Sequence, residues 1–353
     1  MNVLSLKPAL CLHTRSRGSG CQACVEACPT AGALALTEAG PELDPLVCKG
    51  CGLCEPACPT GVFALRETES LLSKLGDGPV AVLTCSAARG QDELFKVPCL
   101  AALSREMLAG AALGRTLLVI VPAACESCQL GVRTWLKELV EAAGRVLKAF
   151  GQTGRVKLVY GEAEAREAVA KANQLHRQGC LNFARLGLMA AVKPAAASSA
   201  LHDLPTKVPP GRRNFLTAIR RRMTDALPAS APAAWMAFAA VTAGPGCDGC
   251  EACTRTCPGG ALTLAHVEAA DRLRFSADRC TACGLCAEAC PQGVLRLADT
   301  FSPAAVGKGE VEILATLPVA TCQRCGEPFY GESGTCSECR KTDWMTPALI
   351  GLR

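Results

Sequence analysis

Four stretches of this chain share one spelling, and nothing else in the sequence constrains the fold as strongly. They read Cys21-Gln-Ala-Cys24-Val-Glu-Ala-Cys28-Pro29, Cys48-Lys-Gly-Cys51-Gly-Leu-Cys54-Glu-Pro-Ala-Cys58-Pro59, Cys247-Asp-Gly-Cys250-Glu-Ala-Cys253-Thr-Arg-Thr-Cys257-Pro258 and Cys280-Thr-Ala-Cys283-Gly-Leu-Cys286-Ala-Glu-Ala-Cys290-Pro291. The shared spacing is C-x2-C-x2-C-x3-C-P, whose thiolates hold [4Fe–4S] clusters. Four copies in two pairs predict about four such clusters and a chain that moves electrons.

The chain has 353 residues and 25 cysteines. In a short secreted chain that density would mean disulfides. This chain is long, and its opening Met1-Asn2-Val3-Leu4-Ser5-Leu6-Lys7-Pro8 lacks a basic segment followed by a sustained apolar run, so no signal peptide is expected. Reduced, metal-bound thiols and a cytoplasmic location are the matching expectations. No window reaches the roughly 18 apolar residues of a spanning helix. The nearest, residues 226–243, is broken by Pro228 and Pro232. Membrane contact is therefore expected only through a partner.

The formal charge of +5 counts every cysteine as neutral. Each oxidised cluster on four thiolates carries about −2, which brings the loaded chain to about −3. Nucleic acid is not an expected partner at that charge. With two Tyr and nine Phe there are also few platforms on which bases could stack.

Composition divides the chain into five segments, an α+β multidomain layout. Residues 1–70 hold the first pair of motifs, and residues 78–190 read as α/β. Residues 191–245 are rich in Ala, Pro and Ser and read as a linker with one short helix. Residues 246–300 hold the second pair, and residues 310–353 form a small tail. The two paired segments are an internal repeat. Apolar stretches 32–36 and 260–264 separate the motifs, and 62–65 and 294–297 follow the second ones, as short strands flanking turn-rich loops.

Over about 50 residues each time, this arrangement resembles the two-cluster bacterial ferredoxin domain. In that family the fourth cysteine of each run crosses to the other cluster. The resemblance implies Cys48, Cys51, Cys54 and Cys28 around one cluster. It implies Cys247, Cys250, Cys253 and Cys290 around a second, and Cys280, Cys283, Cys286 and Cys257 around a third. The proline after each fourth cysteine has no amide donor and a fixed φ, which suits a chain leaving sharply. The first motif departs from the pattern, because Gly18 stands where its leading cysteine belongs. The nearest spare thiol is Cys11, and the loop 12–20, with Gly18 and Gly20, can bring it back. Cys11, Cys21, Cys24 and Cys58 are therefore expected at the remaining cluster. A three-thiolate [3Fe–4S] centre and His13 as fourth ligand are the alternatives.

In the middle segment, residues 79–84, 94–97, 116–121 and 156–160 read as buried strands. Residues 100–113, 131–150 and 162–176 read as helices between them, and the alternation predicts a parallel α/β sheet. Three of the strands run straight into cysteines, and in open α/β sheets sites lie beyond the carboxyl ends of strands. Cys85, Cys99, Cys125 and Cys128 are expected at one edge, holding a [2Fe–2S] cluster or a zinc ion. Buried cysteines acting as small hydrophobes are the plain alternative. Val97-Pro98-Cys99-Leu100, a helix, and Leu118-Val119-Ile120-Val121-Pro122-Ala123-Ala124-Cys125-Glu126-Ser127-Cys128 together resemble the delta iron–sulfur subunit of methyl-viologen-reducing hydrogenase, over residues 78–165. That family has a denser cysteine group where this chain has only Cys85. The resemblance implies one [2Fe–2S] cluster and electron passage between a hydrogenase or formate dehydrogenase and a heterodisulfide-reductase-like flavoprotein.

In the tail, Cys322-Gln-Arg-Cys325-Gly326 and Cys336-Ser-Glu-Cys339 form two knuckles suited to a tetrahedral zinc ribbon, with residues 310–320 as the preceding strand. A rubredoxin-like iron site is the redox-active alternative. So small a tail buries little core and needs a metal for stability. These assignments use 24 of the 25 cysteines and leave Cys180, read as a packed thiol.

Arg212-Arg213-Asn214-Phe215-Leu216 mimics a twin-arginine export motif but lies mid-chain with no apolar run behind it. It reads as an amphipathic basic helix, with docking on an acidic partner or a membrane surface as the alternative. No Gly-rich dinucleotide fingerprint or P-loop appears, and no catalytic residues are assigned. The sequence thus predicts an iron–sulfur adaptor that relays electrons between larger redox enzyme subunits and is not an enzyme on its own. The rivals are a thiol-redox or sulfur-transfer enzyme using Cys125 and Cys128, and a maturation or scaffold protein for a metalloenzyme.

Overall fold

The computed structural model describes residues 4–16, 19–76, 78–88, 94–128, 132–152, 154–161, 163–171, 174, 207–222, 227–233, 238–267, 270–331, 334–336 and 338–340. In the first segment β1 (Leu4–Leu6) pairs antiparallel with β4 (Phe63–Leu65), so its two ends close on each other. Between them β2 (Leu34–Thr37) and β3 (Gly40–Leu43) form a hairpin. β3 is absent from the sequence reading because Pro41 and Glu42 interrupt its apolar pattern. The buried side chains Leu10, Leu34, Val62 and Phe63 are joined by Cys11, Cys24, Cys54 and Cys58. A core with so many thiols depends on what those thiols hold.

The middle segment forms one four-stranded sheet of β5 (Val80–Cys85), β6 (Phe95–Val97), β7 (Thr116–Val121) and β8 (Arg155–Tyr160). The order is β6-β5-β7-β8 and every neighbouring pair is parallel. β7 is buried at five of six positions, as a strand covered on both faces must be. α1 (Arg105–Ala112) starts at Ser104, whose hydroxyl accepts the Met107 amide. α2 (Val132–Ala149) buries Val132, Leu136, Ala143, Val146 and Leu147, a stripe at helical spacing. The helix expected over 162–176 lies partly outside the described residues.

The linker expected over 191–245 needs correction. Residues 191–206, like Cys180, lie outside the described residues. Downstream, α3 (Pro210–Arg222) is part of the core, with Phe215, Leu216, Ala218 and Ile219 buried. It crosses α1 so closely that a Cβ on Gly110 would lie 3.0 Å from the Phe215 Cα. Phe150 meets Phe215 edge-on at 4.8 Å between ring centroids, and Phe238 stacks with Phe301 at 5.8 Å. Pairs of this kind add about 0.5–1.5 kcal/mol beyond their burial. One buried cluster thereby runs from β5 through α3 into the second module.

The polar side chains of this helix also bind within the molecule. Arg213 pairs with Glu69 at 2.5 Å, Arg220 pairs with Asp278 at 2.9 Å, and Asn214 donates to the Thr68 carbonyl at 2.7 Å. The basic side chains hold the two modules to the helix.

The second module repeats the closure of the first. β9 (Ala231–Pro232) pairs with β14 (Thr300–Phe301), and β10 (Val241–Ala243) pairs with β13 (Leu295–Leu297). Two of these strands lie inside the expected linker. The inner hairpin, β11 (Leu262–Val267) and β12 (Ala270–Ser276), is extended by β15 (Val311–Thr321), which then pairs with β16 (Pro328–Tyr330). The tail is therefore continuous with the module's sheet. No helix among the described residues is long and apolar enough to cross a membrane.

Candidate metal centres

Each cysteine run winds through a loop into one short helix: Ala23–Glu26, Cys54–Ala57, Ala252–Thr256 and Leu285–Glu288. Three of the loops need left-handed backbone just before their second cysteine. Gly50 (φ 64°) and Gly249 (φ 72°) supply it freely, while Ala282 holds the same position at φ 55°.

In the first module the Cys24 thiol is pushed up to about 11 by burial and by the neighbouring charges of Cys58, Cys11 and Cys21. Cys54 is pushed up to about 12 by burial, with Cys51 and Cys48 adding to it. Burial also raises Cys51, and Cys28 and Cys48 lie beside it. In the second module, burial holds Cys253 at about 11 among Cys247, Cys250 and Cys290, and Cys286 at about 12 among Cys280, Cys257 and Cys283. The fourth cysteine of every run thus keeps company with the other run's thiols, and Cys11 keeps company with Cys24. Thiolates crowded in this way repel one another, and a bound cationic core relieves the repulsion. As donor sets the foursomes fit iron–sulfur clusters.

Backbone amides aim at several of the sulfurs. Gly50 donates to Cys48 and Ala282 to Cys280, both at 3.4 Å; Val62 donates to Cys58 at 3.4 Å and Ala261 to Cys257 at 3.2 Å. Hydrogen bonds to ligand sulfur are a lever on cluster potential. Glu55, next to Cys54, is pushed up to about 8 by burial and accepts from the Leu65 amide and the Thr68 hydroxyl, at 2.7 and 2.8 Å. It ties the cluster helix to β4.

In the middle segment three adjacent parallel strands deliver thiols at their carboxyl ends. Cys85 ends β5, Cys99 follows β6, and Cys125 closes the turn Ala123–Cys125 after β7. Burial pushes Cys125 up to about 11, with Cys85, Cys99 and Cys128 as its charge neighbours. It does the same to Cys99, whose neighbours are Cys85, Cys51 and Cys128. Cys51 belongs to the first module, so the two sites adjoin. Gly52 makes the approach possible: a Cβ there would meet Leu65 Cδ1 at 2.5 Å and Ala102 Cβ at 2.7 Å. The Cys51 loop lies directly on the turn that follows Cys99.

In the tail the sulfurs of Cys322, Cys325, Cys336 and Cys339 all lie within 4.8 Å of one another. Among the described residues no other group of three or more His, Cys, Asp or Glu is as tight. The amides of Cys325 and Cys336 pull the Cys322 thiol down to about 6, which favours the thiolate a metal requires.

Arg212 is a residue that sequence reasoning missed as part of a site. Its guanidinium carbon lies 4.1 Å from the centroid of the Phe238 ring, with Cys280, Glu106 and Asp278 as anionic neighbours. The available signal was its place one helical turn before Phe215 and Leu216 on a buried face.

Residues 18–62 and 246–294 each match the family described as 4Fe-4S dicluster domain. No curated protein matches the chain. The two matches support an iron–sulfur electron-transfer protein with [4Fe–4S] centres, and the C-terminal cysteine group is able to bind a metal.

Proposed function

We propose that the chain is an adaptor subunit that relays electrons between a larger redox enzyme and an acceptor, through two ferredoxin-like modules and a central site. When bound, an iron–sulfur cluster supplies one-electron transfer at a potential set by its surroundings. The residues that would hold four [4Fe–4S] clusters are the foursomes Cys11/Cys21/Cys24/Cys58, Cys28/Cys48/Cys51/Cys54, Cys247/Cys250/Cys253/Cys290 and Cys257/Cys280/Cys283/Cys286. Cys85, Cys99, Cys125 and Cys128 would hold a [2Fe–2S] cluster. The observation that carries the relay is the packing of the Cys51 loop, at Gly52, against Ala102 in the turn that follows Cys99.

The tail foursome is read as a zinc site, since sulfurs about 2.3 Å from one tetrahedral ion lie close together. The central foursome is not so tight, which favours a cluster core over a single ion. The donor is read as hydrogenase- or formate-dehydrogenase-like from the central resemblance, and the setting as cytoplasmic from a cysteine content suited to reduced, metal-bound thiols.

Against a thiol-redox enzyme stands the state of Cys125. A reactive thiol needs access to its substrate, whereas Cys125 is buried in the core. Cys99→Ser is expected to remove a [2Fe–2S] signal from the anaerobically isolated protein and to leave the [4Fe–4S] signals. Unchanged spectra, with rapid alkylation of Cys125 and Cys128 in the native protein, would overturn the relay in favour of the thiol enzyme.

A further inference from the structure

Cys11 is followed directly by a single helical turn, Leu12–Arg15. The Arg15 amide donates to the Cys11 carbonyl at 3.2 Å, and Arg15 Nε donates to the Ala9 carbonyl at 2.7 Å. The guanidinium is thereby fixed to the stretch that carries Cys11. Its Nη1 reaches the second module, where it donates to the Arg255 carbonyl at 3.1 Å and the Thr256 carbonyl at 3.2 Å. Those carbonyls end the helix Ala252–Thr256. Carbonyls at a helix end have no intrahelical partner and carry the negative end of its dipole, so a cation is the donor that suits them.

The position of these acceptors matters. The helix carries Cys253, and the Thr256 carbonyl belongs to the peptide bond that leads into Cys257. The Arg255 side chain turns back within its own module, onto the Cys250 carbonyl. From Cys11 to Cys257 the path is therefore one helical turn, one hydrogen bond and one peptide bond. The other printed link between the modules is longer. It leaves Cys54 through Glu55, whose carboxylate accepts the Thr68 hydroxyl, and Asn214 takes it from the Thr68 carbonyl onto α3. It rejoins the second module only where Arg220 meets Asp278, near Cys280. Asn214 and Arg220 alone are separated by about 9 Å of helix at roughly 1.5 Å per residue.

We propose that electrons cross between the two modules at Arg15. The centre held by Cys11, Cys21, Cys24 and Cys58 exchanges them with the centre held by Cys257, Cys280, Cys283 and Cys286, and Arg15 is the positioning residue that holds the two together. The proposal rests on the four-cluster reading above. One centre is oxidised as the other is reduced, by a single electron, so no further reactant takes part. Tunnelling weakens steeply with separation, and the pair drawn together by a direct hydrogen bond carries the traffic. With the Cys51 loop packed on the turn after Cys99, the centres fall into an order. The central site comes first, then the Cys51 centre, the Cys11 centre and the second module.

The test uses the whole, anaerobically purified protein, with iron counted on every sample. Pulsed EPR of the reduced protein measures which centres of different modules lie nearest. That pair is expected to comprise the centre whose signal Cys11→Ser alters or removes and the centre whose signal Cys257→Ser alters or removes. Any other nearest pair would overturn the proposal. Kinetics test the residue itself. A flash-generated reductant delivers electrons at a substoichiometric dose, and freeze-quenched EPR follows their redistribution between the modules. Arg15→Ala is expected to slow redistribution by about tenfold, an effect common for the outer partners of metal ligands, with midpoint potentials unmoved. Arg15→Lys, which still offers a cation to the carbonyls, is expected to recover most of the rate. A wild-type rate in Arg15→Ala at full iron content overturns the proposal, as does an Arg15→Lys protein as slow as Arg15→Ala. If Arg15→Ala loses iron, the distances in the wild-type protein still decide. A wild-type iron content near half the expected value sinks the four-cluster reading instead, before any distance is compared.

Discussion

Gly52, at φ 76°, is wedged between Leu65 and Ala102, so both its backbone and its missing side chain are required where it stands. Gly52→Ala should cost roughly 1–2 kcal/mol for left-handed backbone and a further 1–3 kcal/mol for overpacking. It should also push the Cys51 loop off the turn after Cys99. Thermal unfolding checks the first effect, and loss of magnetic interaction between the two reduced centres checks the second. A wild-type melting curve would show that the contact tolerates a methyl group. At this scale the cysteine spacing was legible because cluster ligation fixes short intervals along the chain. Cys11 was expected at a cluster only by counting a missing ligand, since its loop has no fixed length. Arg212 was illegible, because its partners Phe238 and Cys280 are remote in sequence and nothing in a basic stretch announces burial.

Among the elements, α3 decides how the modules sit. Phe215 is fully buried beside Phe150 and Phe238. Phe215→Ala should cost about 3–5 kcal/mol, read as earlier unfolding in denaturant. Loss of visible absorbance, which reports the clusters, should follow at the same denaturant concentration because the core is shared. Separate transitions would mean that the modules fold independently of the helix.

The tail hangs on a smaller contact. Tyr330 donates to Asp271 at 2.6 Å, and His266 sits on the other Asp271 oxygen at 2.7 Å. Those bonds hold the Asp271 carboxyl below the usual carboxylate range, Tyr330 first and His266 second. Tyr330→Phe is expected to loosen β16 from the module and to speed zinc transfer to a chelator, measured by absorbance. An unchanged rate would place the anchor elsewhere. The parallel sheet was legible because its strands are continuous apolar runs bounded by helices. β12 was not, because Arg272 and Arg274 on one face and Asp271 among the buried positions of the other interrupt its apolar pattern. The linker was misread because alanine and proline outnumber the few aromatic residues that carry the packing.

Across the whole molecule the two modules touch directly as well as through α3. The Arg15 guanidinium donates to the carbonyls of Arg255 and Thr256, at 3.1 and 3.2 Å, across 240 residues of sequence. A string of independent modules would not bury a guanidinium and four phenylalanines between them. The packing instead puts the foursome of Cys51 against that of Cys99, and α3 against both modules. Composition alone could not reveal this, since contacts between distant segments leave no period in the sequence. The repeated cysteine runs foretold the sites and not their arrangement. The central claim is that this packed chain holds four [4Fe–4S] clusters and one further iron site. It is tested most directly by anaerobic iron and zinc analysis combined with EPR of the reduced protein. The account predicts about 18 irons and about one zinc per chain, with interacting [4Fe–4S] signals. About 8 irons would contradict it.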